Sequence, residues 1–468
     1  MLGDRPQDGG LFQCVTMEDL VPTDHLLRRL RATLDFSFAR EIVAKTYSHL
    51  GRPSYDPEVV VRIWMLQQFY GFSERQICDE MRMHAGYRWF CGLCFNDPVP
   101  DQSTLVKLRQ RFAPTGLWER VLSETVRACE AAGIAKSDRM GLDGTLIRAN
   151  AAIVSMEEIP SRIELHEEPP GEDGSVKVAD DSPPVDLQIV DGGRDGPSRK
   201  SGDRNFHKER FTNDTHQSTT DPEARLYRKS RTHEAHLSHM GHYLADLHSG
   251  VIFAACATQA TGTAEREAGL ALLDSLSTRP SELVMDKGYR DGSYLAELRK
   301  RDILPIVPMS DQAIEAEPTW QRQTLVIHRA VNRRKRRDAA RARNLARVTA
   351  RTRRAAQAQR QRTVVERLFA EAKVCHGMRR AQRRGLPKLD QQVKLTAAVQ
   401  NIKRLLAPGR RPAIAQAQAL TQTLLALRRA LQRLRNGSNR LHTGITGSKL
   451  QRRTFAAMRG NSRTVLSQ

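Results

Sequence analysis

Two short apolar runs, Arg139-Met-Gly-Leu-Asp143-Gly-Thr145 and Glu282-Leu-Val-Met-Asp286-Lys-Gly288, each close on an aspartate near a glycine. Runs of this length bounded by turn residues read as strands, and an acid at a strand's carboxyl end lies where α/β sheets gather ligands. Around them, 237–246 and 251–258 form a hairpin about the Leu247-His-Ser-Gly250 turn, and 303–307 is a further strand. Amphipathic helices are expected over 264–277 and 293–301. The alternation predicts an α/β class protein with a mixed, layered sheet over 136–407.

The first 135 residues carry helical periodicity instead. A helix start is expected at 16–20 and an amphipathic helix over 23–34, capped by Thr23 or Asp24. A helix over 58–69 ends at Gly71-Phe-Ser73, and Ser73-Glu-Arg-Gln76 opens the next one as a capping box. That outline suits a helix-turn-helix or a plain helical hairpin. Asp101-Gln-Ser-Thr104 caps another helix, and 117–133 completes an all-helical N-terminal domain, expected to recognise DNA through residues 54–112. Between 155 and 220 the composition collapses to Glu, Asp, Gly, Pro, Ser and Lys, the signature of a flexible, disordered insertion. Beyond Pro408 a basic extension spaces Leu420, Leu424, Leu427, Leu431 and Leu434 like one helix face: an accessory DNA-binding or oligomerisation helix, or a rearranged tail.

The net charge of +22 calls for a polyanionic partner. With aromatic residues at 5 %, stacking on single strands is a poorer match than double-stranded DNA held by its phosphates. The absence of long apolar stretches and of a signal peptide predicts a cytoplasmic protein, associated with nucleic acid and not with membrane. Seven scattered cysteines suit a reducing compartment, and the lone Cys91-Gly-Leu-Cys94 reads as buried structural thiols rather than half of a zinc site. His233, His236, His239 and His242 alternate faces in an extended segment, so they read as structural or phosphate-facing, not as a metal array.

The helix over 362–373 places Glu366 between two cations, Arg362 and Lys373, on one face. Asp143, Asp286 and Glu366 are then three hard oxygen donors with no His or Cys among them, the set magnesium prefers, with Mn2+ as a substitute. Two such ions about 4 Å apart support in-line phosphoryl displacement. Taken singly, each acid also reads as a solvated turn residue or a cap. An Ala/Arg-rich insert over 328–362, including Arg333, Arg334, Lys335, Arg336 and Arg337, reads as a helix with cations on all sides that grips phosphates without sequence preference.

Several stretches together carry a family resemblance: Tyr87-Arg-Trp-Phe90, Asp97-Pro-Val-Pro-Asp-Gln-Ser-Thr104, Asp143-Gly-Thr145, Ser218-Thr-Thr-Asp-Pro222, Ala224-Arg-Leu-Tyr-Arg-Lys229, Met240-Gly-His242, Thr258-Gln-Ala-Thr-Gly262, Asp286-Lys-Gly-Tyr289, and Glu366 with Lys373. From about residue 16 to about residue 407 the chain resembles bacterial insertion-sequence transposases of the DDE type, in the IS-four/IS-five grouping, whose catalytic domain has the RNase H-like fold. The resemblance implies a metal triad of Asp143, Asp286 and Glu366. It also implies that Arg362 and Lys373 match the Arg and Lys of a Tyr-Arg-Glu-Lys signature, holding phosphates near the cut. The signature's Tyr falls on Gln359 here. The expected activity is cleavage at an element's ends and strand transfer into target DNA, with a homodimer in the synaptic complex. The alternatives are an RNase H-like nuclease without strand transfer and an inactive DNA-binding remnant.

Overall fold

The strand β1 (Arg139–Arg148) is the axis of the fold. In the computed structural model, which describes residues 15–48, 50, 53–159, 212–228, 234–309 and 327–407, β1 pairs antiparallel with β5 (His236–Asp246) along one edge. Along its other edge it pairs in parallel with β7 (Glu282–Val284), which continues in parallel to β8 (Leu304–Ile306). The far edge of β5 is shared by β4 (Arg225–Tyr227) and β6 (Ile252–Gln259), both antiparallel to it. An antiparallel meander running into parallel strands at β1 is the mixed sheet of an RNase H-like domain, as the sequence predicts.

Helices cover both faces. On one, α8 (Ala264–Asp274), α9 (Gly292–Lys300) and α10 (Ile327–Ala350) close a core of Met140, Leu142, Leu244, Leu273, Leu295 and Ala346. On the other, α12 (Thr363–Cys375) and α13 (Leu386–Leu406) lie against β1, β5 and β6. Gly141 is what lets α12 seat on β1: a Cβ there would lie 2.7 Å from Val365 Cγ2 and 2.6 Å from Leu247 Cδ2. Phe369 of α12 stacks on Tyr243 of β5 with ring centroids 4.4 Å apart.

The helical region runs through α1 (Leu26–Thr33), α2 (Phe38–Val43), α3 (Pro57–Tyr70), α4 (Glu74–Met83), α5 (Ala85–Cys91), α6 (Gln102–Phe112) and α7 (Leu117–Ala131). The capping box at Ser73 and Gln76 forms, Asp56 and Asp101 cap α3 and α6, and Gly71 ends α3 at φ 73°. Residues 16–20, expected to start a helix, form turns in which Thr16 and Asp19 bond to each other. The cap of α1 is His25, whose Nδ1 accepts from Leu27 N–H, not Thr23 or Asp24.

α13 is buried nearly all round, the mark of an interior helix. Its polar residues bond across the interior: Asn401 exchanges two hydrogen bonds of 2.8 Å with the Ile252 backbone and reaches Thr125 Oγ1 of α7. Thr396 Oγ1 accepts from Gln68 of α3 at 3.0 Å. Removing one such partner strands a buried polar group, at about 1–3 kcal/mol. The described residues as far as Ala407 thus make one compact unit.

Two expectations need correction. The insertion placed at 155–220 has ordered ends, because β2 (Met156–Glu158) pairs antiparallel with β3 (His216–Ser218) and Ser155 Oγ lies 2.8 Å from Ser218 Oγ. Only 160–211 of it lies outside the described residues, as does everything from Pro408 on, including the leucine-spaced extension. The basic insert, for its part, is not cationic on all sides. Its helices α10 and α11 (Arg353–Gln361) each bury an alanine stripe, Ala339, Ala342 and Ala346 in one and Ala355 and Ala358 in the other.

Candidate active site

The parallel pairing of β1 with β7 stops at Gly141 and Val284, so the two strands part before Asp143. Asp143 is therefore mid-strand, not at a strand end: β1 continues through Gly144, in register opposite His242, to Arg148. This corrects the expectation of a turn at Gly144. Asp286 lies just past the end of β7, where it caps the short 3-10 turn Lys287–Tyr289 and accepts the Gly288 N–H at 2.7 Å.

Glu366 occupies the first turn of α12, and Arg362 is that helix's N-cap residue. The Arg362 guanidinium bridges the two elements, donating from Nη1 to Asp143 Oδ2 at 3.3 Å and from Nη2 to Glu366 Oε1. Asp143 and Glu366 thus converge on one cationic group. Asp286 is near enough to act on Asp143: burial pushes the Asp143 carboxyl up to about 6, Arg362 and the Gly144 N–H oppose the rise, and the charges of Asp286 and Glu366 add to it. Among the described residues no three His, Cys, Asp or Glu side chains are grouped closely enough to hold one ion as they stand. Lys373 is half-buried on the same helix.

Two residues without a chemical signal in the sequence flank the acids. Gln359 donates from Nε2 to the carbonyls of Met285 at 3.0 Å and Ile306 at 2.9 Å, tying α11 to the chain immediately before Asp286. The position that departs from the family signature is thus a tether for the second acid's strand. Glu265, in the first turn of α8, approaches from the opposite face of the sheet: a Cβ on Gly144 would lie 3.0 Å from its Oε1. Burial, then the charges of Asp286 and Asp143, push the Glu265 carboxyl up to about 7. The only sequence signal at Glu265 is an acid in a helix's first turn, which ordinarily serves the helix dipole.

The remaining candidates separate. In the basic cluster Arg334, Lys335 and Arg336 are exposed and Arg337 is half-buried, while the Arg333 side chain lies outside the described residues. His239 and His242 each hold one partner within the fold: His239 Nε2 lies 3.1 Å from Asp221 Oδ2, and His242 Nε2 lies 2.7 Å from Thr258 Oγ1. His233 lies outside the described residues. Cys91 is buried against Met81, but Cys94 is exposed, so the expectation of two buried thiols holds for one. Of the helical pair α3–α4, α3 is buried, and the exposed face of α4 carries Arg75, Asp79 and Arg82, with Arg82 paired to Asp79 at 2.8 Å.

A family model described as Transposase domain (DUF772) matches residues 15–111, and one described as Transposase DDE domain matches residues 214–402. Asp286 and Glu366 lie inside the second match; Asp143 lies between the two and joins the others only through the packing of β1 on β7 and α12. No solved structure matches the chain.

Proposed function

The chain belongs to the insertion-sequence DDE transposases, enzymes that cleave and transfer DNA, and from that premise we propose that Asp143, Asp286 and Glu366 hold two divalent cations, Mg2+ or its substitute Mn2+, where the element's ends are cut and joined to target DNA. The observation that carries this is the convergence of Asp143 and Glu366 on the Arg362 guanidinium, with Asp286 beside them at the end of the neighbouring parallel strand. The donors fit the ions: all are carboxylates, and two of them already share one positive group. When bound, such ions generate a nucleophile from water or a terminal hydroxyl and stabilise the leaving oxygen.

The chain's own residues supply the rest. Arg362, once free of its two carboxylates, grips a phosphate beside the cut, and Lys373 grips another further along α12. Gln359 holds the strand before Asp286 in place. Arg334, Lys335 and Arg336, with their neighbours Arg333 and Arg337, hold duplex DNA by its phosphates whatever its sequence. Arg75 and Arg82 on α4 are assigned to recognition of the element's ends, and the synaptic complex is a homodimer in which each protomer's cleft serves one end. The motif set supports the reading that the chain falls in the IS-four/IS-five grouping.

The test is cleavage of a labelled duplex carrying the element's terminal repeat, in Mg2+, by the full chain. Asp286→Asn and Glu366→Gln should keep duplex affinity within a few-fold of the parent. Cutting should fall by at least about 1,000-fold, since a lost metal site removes several kcal/mol of transition-state stabilisation and each ~1.4 kcal/mol is tenfold. Parent-like cutting by either variant would remove that residue from the site, and cutting without joining would leave a hydrolytic nuclease.

A further inference from the structure

We propose that Glu265 is a fourth carboxylate of the cleft, a positioning residue that reaches the acidic triad from the opposite face of the sheet through the gap left by Gly144, and that together with Nδ1 of His242 it holds the water shell of a divalent cation. This rests on the metal-binding reading of the triad.

Three observations meet at one point. Along β1, Asp143 and Gly144 face opposite sides of the sheet, since side chains alternate along a strand. Asp143 meets Arg362 from α12, whereas the space a Gly144 side chain would fill is closed by Glu265 Oε1 at 3.0 Å, His242 Nδ1 at 3.1 Å and the Met240 methyl at 3.2 Å. His242 is fully buried, and although its Nε2 is bonded to Thr258, its Nδ1 has no hydrogen-bond partner among the described residues. A buried imidazole nitrogen without a partner is costly and calls for one. Here it is aimed at the same gap as the Glu265 carboxylate. Among the described residues Arg266 is the one cation acting on that carboxylate, and it pairs with Asp291 at 3.7 Å. A water bound between Glu265 Oε1 and His242 Nδ1 would satisfy both atoms.

A first-turn acid of α8 also favours its helix dipole, but Glu267 supplies that from the exposed side of the same turn, without the burial. A dipole role alone would therefore appear in thermal stability and not in cation affinity. Carboxylates behind a metal's direct ligands typically change affinity by about 10- to 100-fold when removed.

The experiment is titration of the full chain, without DNA, with Mn2+ followed by electron paramagnetic resonance, for the parent, Glu265→Gln, Glu265→Asp, the control Glu267→Gln and the triad variant Asp286→Asn. Thermal melting in metal-free buffer is recorded for each. Glu265→Gln should lose about 10- to 100-fold in Mn2+ affinity with no fall in melting temperature. Glu265→Asp, which keeps the charge, should recover most of the affinity, and Glu267→Gln should match the parent. Weakened binding by Asp286→Asn beside parent-like binding by Glu265→Gln would overturn the fourth carboxylate and leave the triad standing. Equal losses by the Gln and Asp variants with a lowered melting temperature would make Glu265 structural. Parent-like binding by Asp286→Asn would remove the metal reading and this inference with it.

Discussion

The two ends of α12 face opposite electrostatic conditions. Toward the N-terminal end, burial and the charges of Asp286 and Glu366 push the Asp143 carboxyl up to about 6, and across the sheet burial and the charges of Asp286 and Asp143 push Glu265 up to about 7. Near the C-terminal end, Glu371 is also penalised by burial. There, however, the His376 hydrogen bond, Arg404, Gln400 and Lys403 outweigh burial and bring its carboxyl down to about 2. Arg404 and Lys403 of α13 each lie 3.3 Å from it. The fold thus compensates a buried acid fully where it ties helix to helix and incompletely where β1, β7 and α12 meet. The second arrangement costs folding stability, a cost that positive charge from outside the chain would offset.

Mutations at each end sharpen the contrast. The largest stability effect is expected at the compensated end: Glu371→Gln should cost about 2 kcal/mol at neutral pH by leaving Arg404, Lys403 and His376 around a neutral group. Because the folded carboxyl lies below its unfolded value of 4.5, its contribution is present above about pH 4.5 and lost as pH falls toward about 2. Urea unfolding of parent and variant across that range should show the two converge. A difference independent of pH would mean that packing, not charge, holds the helices.

Gln359→Ala comes next, at about 1–2 kcal/mol, since the carbonyls of Met285 and Ile306 lose their side-chain donor. It should also lower the cleavage rate without changing duplex affinity, because the tether sets the position of Asp286 and touches no DNA. A variant with parent-like cleavage would limit Gln359 to structure.

At the incompletely compensated end the sign reverses. Asp143→Asn in metal-free protein should stabilise by about 1 kcal/mol at pH 7.5. A folded value near 6 above an unfolded value of 3.8 means the acid's favourable contribution is present below about pH 4 and lost as pH rises through about 6. The advantage of Asn should accordingly grow between those limits and stay level above them. Destabilisation at every pH would place Asp143 among the compensated acids. Smallest in stability is the surface cluster: replacing Arg333, Arg334, Lys335, Arg336 and Arg337 with Gln should leave melting almost unchanged. It should flatten the dependence of log duplex affinity on log salt by about 0.9 for each phosphate that is no longer neutralised. An unchanged slope would mean the cluster faces solvent or a protein partner.

How much of this was legible in the sequence follows from range. Caps such as Ser73 with Gln76 and Asp101 are local chemistry, and each formed as expected. The acids Asp143, Asp286 and Glu366 were visible as a strand-closing pair and a helical charge pattern. Their neighbours Glu265 and Gln359 were not, because each matters only through a contact across the sheet or between α11 and β7. Gly144 misled for a related reason. A glycine after an acid reads as a turn, whereas here the chain stays extended and the missing side chain serves the close approach of α8. The alanine stripes of α10 and α11 were hidden by the arginines between them, since the arginines dominate composition while the alanines decide packing.

The proposed cation site, three acids gathered by β1, β7 and α12, is one that the protein leaves incompletely compensated. The most direct measurement is the thermal stability of the full chain as Mg2+ or Mn2+ is added, for the parent and for Asp143→Asn. Without metal, the variant should melt at or above the parent. With cation added, the parent should gain stability, by about 2.7 kcal/mol at a hundredfold excess over the dissociation constant, while the variant gains little and is overtaken. A parent that melts identically with and without either cation, or a variant that gains as much as the parent, would contradict it.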